Sequence, residues 1–63
     1  MGARVVDFRL YFLGRGGRIV EARELECEDD DAAIMAVEGQ RDGRAMELWR
    51  RDRRIRSFPD AGG

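Results

Sequence analysis

Val5-Val6-Asp7-Phe8-Arg9-Leu10-Tyr11-Phe12-Leu13 is the stretch whose reading decides the fold. Val6, Phe8, Leu10 and Phe12 recur at every second residue, the period that lines one face of a β-strand. Asp7, Arg9 and Tyr11 fall between them and belong to the opposite face. No other stretch of the chain has so dense an apolar row, so the core is expected to assemble around this strand.

Working outward, Gly14-Arg15-Gly16-Gly17 is a hairpin signal, because glycine reaches positive φ at little cost. A phosphate-binding glycine loop would open into a helix, whereas this one opens into a second extended segment, Arg18 to Cys27. Ile19, Leu25 and Cys27 share a parity there, and Glu21 and Arg23 interrupt it. An edge position, or a bulge near Arg23-Glu24, would account for the interruption. Cys27 reads as a small apolar residue at the strand end. Its neighbours Glu26, Glu28 and Asp29 are the wrong sign to activate a thiol.

Glu28-Asp29-Asp30-Asp31 resembles a cation site at first sight, but four adjacent carboxylates lack the alternating ligands of a calcium loop. The run fits a helix start better, with Asp29 as N-cap and the following carboxylates at the positive helix end. A helix is expected from Asp30 to about Arg41, with Ala33, Ile34 and Val37 on one stripe. Gly39 could shorten it by a turn, and Gly43 is the clearer stop as a left-handed C′ residue. The third strand, Arg44 to Arg50, alternates Met46 and Leu48 with Ala45, Glu47 and Trp49. After a turn at Arg51-Asp52, the fourth strand runs from Arg53 to Phe58, and Pro59 ends it. The expected register sets Ile55 against Leu48, Ser57 against Met46, Arg54 against Trp49 and Arg56 against Glu47. Residues 1–4 and 60–63 are expected to be flexible.

The fold class is therefore α+β, in the order β-β-α-β-β. A helix crossing over the first strand gives a four-stranded antiparallel sheet of order 2-1-3-4, with one helix on one face. Residues 1–63 make a single domain. Its expected core is Val6, Phe8, Leu10, Phe12, Ile34, Val37, Met46, Leu48 and Ile55.

Absent residue types exclude more chemistry than composition does. The 63 residues contain no His, Lys, Asn or Thr, one serine (Ser57) and one cysteine (Cys27). A Ser–His or Cys–His nucleophile pair cannot be built within one chain. A zinc site needs several Cys or His, and a Walker-type loop needs its lysine. A chain of this size can hardly enclose a substrate-sized cleft, so the expectation is no enzyme, no cofactor and no metal. No apolar run approaches a membrane span, and a chain poor in cysteine without a signal segment suggests the cytoplasm. All 12 positive charges are arginine, which reads as GC-rich coding because lysine is missing even from ordinary surface positions.

Tyr11-Phe12-Leu13, Gly17-Arg18-Ile19, Glu24-Leu25-Glu26-Cys27 and Asp42-Gly43-Arg44-Ala45-Met46-Glu47-Leu48-Trp49 together resemble a group of short bacterial proteins, chiefly proteobacterial, of no established activity. The resemblance covers most of residues 8–58 and implies no catalytic or binding residue. Many members of that group have glycine near the last hairpin turn, where this chain has Arg51.

Two interaction surfaces remain. One helix covers one side of a four-stranded sheet. The other side is expected to show Asp7, Arg9 and Glu47 with a candidate interface of Val5, Tyr11, Leu13, Trp49, Arg54 and Arg56, with Phe58 at its margin. Tyr, Trp and Arg are the types enriched at binding hot spots. The expected partner is a second copy, as a homodimer, or another protein; the bland alternative is an ordinary solvated sheet face. The second surface is the arginine-rich hairpin 49–56, with Arg50, Arg51 and Arg53 as candidate nucleic-acid contacts. Residues 41–58 hold seven arginines against Asp42, Glu47 and Asp52, but the whole chain carries −1. That balance is unlike a dedicated nucleic-acid binder.

Overall fold

The computed structural model describes residues 5–60. The expected lead-in at 1–4 and the end of the tail at 61–63 lie outside the described residues. The elements are β1 (Val6–Leu13), a 3-10 turn (Arg15–Gly17), β2 (Ile19–Cys27), α1 (Asp30–Glu38), β3 (Ala45–Arg50) and β4 (Arg53–Phe58). The four strands form one sheet in the order β2-β1-β3-β4. Every neighbouring pair is antiparallel. The α+β architecture and the strand order are as the sequence implies.

The apolar row of β1 does what its period requires. Phe8, Leu10 and Phe12 are buried together with Ala33 and Val37 of the helix and Met46 and Leu48 of β3. Leu10 pairs with Leu48, and Phe12 with Met46. Each such side chain gains about 1.5–3 kcal/mol on burial. Val6, Leu25, Cys27, Ile34 and Ile55 pack around this core, half-buried rather than buried. Glu26, Glu24 and Ala22 alternate with the inward residues of β2 and face the other side with Asp7, Arg9 and Tyr11.

Two one-residue bulges correct the expected registers. In β2 the irregularity lies at Val20, not near Arg23-Glu24: Glu21 pairs with Phe12, and Ile19 with Leu13. A one-residue insertion moves the following side chains to the other face. Ile19 therefore leaves the helix side and joins Leu13 on the uncovered side, while Glu21 and Arg23 stand on the helix side. In β4 the extra residue is Ile55. Arg54 pairs with Trp49 as expected, but Arg56 pairs with Leu48, Ser57 with Glu47 and Phe58 with Met46. Without this bulge Ser57 would bring a hydroxyl to the core position and Phe58 would face solvent. With it, Phe58 is buried.

The helix start is as read: Asp29 Oδ1 accepts from the Ala32 N–H at 2.8 Å. The helix ends at Glu38, a turn short of Arg41, with Gly39 as its C-cap in a right-handed conformation. Gly43 does adopt positive φ, 94°, but in the loop beyond the helix rather than at C′. In the first hairpin Gly16 and Gly17 supply φ of 77° and 79°. In the last hairpin the turn residue Arg51 takes φ of 58°, a position where glycine is the usual choice.

The end of the core beyond the short helix is closed by charge. The Arg44 and Arg23 guanidiniums lie 4.2 and 4.9 Å from the Phe12 ring centre. Glu21 joins them, accepting from Arg23 Nε at 3.0 Å and from Arg44 Nη1 at 3.2 Å. Arg44 Nε also donates to Asp42 at 2.9 Å. Guanidinium stacking on an aromatic face is favourable, because the cation meets the negative face of the ring. The charged interruption in β2 is thus the lid of Phe12.

Candidate functional site

The side of the sheet away from the helix is the candidate site, and its rows follow from the strand registers. One row runs Glu24, Arg9, Trp49, Arg54 across β2, β1, β3 and β4. The next runs Ala22, Tyr11, Glu47, Ser57. A third holds Ile19, Leu13 and Ala45.

Two aromatic rings form the centre. Tyr11 and Trp49 meet edge to face, ring centres 6.2 Å apart at 78°. Trp49 Nε1 donates to Glu47 Oε1 at 3.1 Å, and Glu47 Oε2 pairs with Arg54 at 3.5 Å. Across the sheet Arg9 pairs with Glu24 at 3.7 Å. The Tyr11 hydroxyl, and then the Glu24 charge, hold the Arg9 guanidinium above its ordinary pKa. These contacts tie charged side chains to one another around a half-buried aromatic pair. Such a surface offers stacking, hydrogen bonding and charge together.

Tyr11, Leu13, Trp49 and Arg54 of the candidate interface do share this face. Val5 lies just ahead of β1 and is 61% exposed. Arg56 does not belong to the face. The Ile55 bulge turns it to the helix side, where it pairs with Glu38 at 3.5 Å and lies 5.6 Å from the Phe58 ring centre. Phe58 is likewise in the core rather than at the margin. Ile19 was missed by the sequence reading: it is 57% exposed opposite Leu13. Its parity with Leu25 and Cys27 hid it, and no local signal marked the bulge at Val20.

The three nucleic-acid candidates are not brought onto one surface. Arg50 is on the helix side, paired with Asp30 at 3.0 Å and 6.0 Å from the Phe8 ring centre. Arg53 lies opposite Arg50. Arg51 sits at the turn and borders a shallow depression with Asp7, Arg9 and Tyr11. A neighbouring depression is lined by Asp7, Arg9, Glu24 and Glu26. Among the described residues no three His, Cys, Asp or Glu side chains converge as a metal set, and no helix is long and apolar enough to cross a membrane.

No protein-family model, curated protein or solved structure matches the chain. The residues themselves carry the functional argument.

Proposed function

We propose that the chain is a non-enzymatic protein-interaction module that acts through the uncovered face of its sheet, and that its partner is a second copy of itself. The observation that carries this reading is the Tyr11–Trp49 pair, ringed by Leu13, Ile19 and arginine on a face with no covering element among the described residues. Solvated antiparallel faces are usually polar, whereas this one gathers the residue types that dominate binding energy. A core of eight buried side chains among the described residues is small, and a second subunit is one of the few ways such a domain gains stability.

Nucleic-acid contact through hairpin 49–56 has less support. Arg50 and Arg56 are engaged by Asp30 and Glu38, and the hairpin arginines divide between the two sides of the sheet.

Light scattering across a concentration series up to the high micromolar range tests the reading. Dimer mass in the native protein, shifting to monomer in Trp49→Ala with its fold retained, is the expected result. Monomer mass throughout would overturn it.

A further inference from the structure

The uncovered face is electrically lopsided. Glu24 and Glu26 of β2 lie at one edge and Arg54 of β4 at the other, while Asp7 of β1 shares a depression with Arg51 of the last turn. Between the two edges stand Arg9 and Trp49, one on each central strand. Read from β2 to β4 the row is acid, arginine, tryptophan, arginine. Read backwards it is arginine, tryptophan, arginine, acid. Laid on its own reverse, each charge meets an opposite charge or an aromatic face.

We propose that two copies stack face to face about a twofold axis that runs parallel to the strands, between β1 and β3. This orientation rests on the reading of the face as a self-association surface and specifies its geometry. It sets Glu24 of one copy against the partner's Arg54, and Arg9 over the partner's Trp49. Asp7 then faces the partner's Arg51, and the Tyr11 hydroxyl faces the partner's Glu47 carboxylate. Leu13 lies over the partner's Ala45, so the apolar row closes on an apolar row. Each contact occurs twice, as a twofold interface requires. An axis perpendicular to the strands would instead stack β2 on the partner's β2 and set Glu24 against Glu24. Like-charge juxtaposition of that kind is costly.

The area is at the lower limit for a specific interface. Four strands about 4.8 Å apart, averaging about seven residues at about 3.3 Å each, make a face of about 450 Å². Two such faces bury about 900 Å² in flat projection, close to the roughly 1,000 Å² of the smaller specific interfaces. Sheets packed in this way keep their strands within about 30° of each other, which an axis along the strands allows.

Charge reversal tests the orientation. Glu24→Arg and Arg54→Glu are each expected to weaken dimerisation about tenfold, by sedimentation equilibrium at low salt. Placing both substitutions in one chain restores the opposite-charge contact between copies, though not the in-chain pairs of Glu24 with Arg9 and of Arg54 with Glu47, and is expected to weaken the dimer clearly less than the two single effects combined. Arg9→Ala, which removes the stacking cation without reversing charge, is expected to weaken the dimer as well. Thermal melts monitored by circular dichroism separate any cost to the monomer fold. A native dimer in which the paired substitutions add as two defects, or in which the single ones have no effect, overturns this orientation and leaves the face reading intact. A native chain that is monomeric overturns both.

Discussion

The Tyr11 and Trp49 rings, on neighbouring central strands, meet edge to face at 6.2 Å on the side of the sheet that the helix does not cover. They sit diagonally, since Trp49 is directly opposite Arg9 and Glu47 directly opposite Tyr11. Diagonal neighbours at about 7–8 Å are within reach of aromatic side chains. An aromatic pair contributes about 0.5–1.5 kcal/mol beyond its buried area. Buried in an interface, it would contribute to association as well.

Trp49 is the single tryptophan of the chain, so its fluorescence reports on this face alone. Dilution from high to low micromolar concentration is expected to shift its emission to the red as the face becomes exposed. Emission independent of concentration over that range would contradict a covered Trp49.

The Ile55 bulge makes Phe58 a core residue and Ser57 a surface one. Phe58→Ala is expected to cost about 3–5 kcal/mol, as large-to-small changes at buried phenylalanine do. Ser57→Ala, on the uncovered side, is expected to stay within about 0.5 kcal/mol. Denaturant titration of both variants checks the register; equal sensitivity at the two positions would refute it.

Arg51 holds φ of 58°, a left-handed conformation that costs a residue with a Cβ about 1–2 kcal/mol. Arg51→Gly removes that strain and adds unfolded-chain entropy of about 0.5–1 kcal/mol. The expected net is a small gain in melting temperature. Arg51→Val, with a branched side chain at positive φ, is expected to lower it clearly.

Glu21 is held below its ordinary carboxylate pKa by the Arg23 guanidinium and then by Arg44. Asp42 is held below its own by the side chain and backbone N–H of Arg44. A carboxyl whose pKa is lowered by folding contributes stability that is present above its unfolded pKa and is lost as pH falls through the folded value. Melting temperature is therefore expected to fall with decreasing pH below about 4.5. The double variant Glu21→Gln with Asp42→Asn is expected to flatten that dependence. An unchanged acid limb would show that the ions over Phe12 do not contribute.

The N-cap is testable in the same way. Asp29→Ala removes the acceptor for the Ala32 N–H and is expected to cost about 1 kcal/mol, with Asp29→Ser recovering most of it.

Much of this molecule was legible in local patterns. The alternation in β1, the glycines after it, the acidic helix start and the Met46–Leu48 row each depend on periods of two or 3.6 residues that a short window reveals. Together they specify the element order, and the short connections restrict the strand order to few choices. Tyr11, Leu13, Trp49 and Arg54 were placed on the uncovered face by parity alone. Parity is blind to a single unpaired residue. Whether β2 inserts Val20 and β4 inserts Ile55 depends on what fills the space between sheet and helix, and distant residues decide that. Burying Phe58 opposite Met46 favours one insertion. The other sends Ile19 outward while Glu21 and Arg23 close over Phe12. Sequence thus determined the sheet, the helix and the row Val6-Phe8-Leu10-Phe12 at their centre. Tertiary structure decided which residues of the two edge strands face the helix, because only the assembled core selects between registers one residue apart.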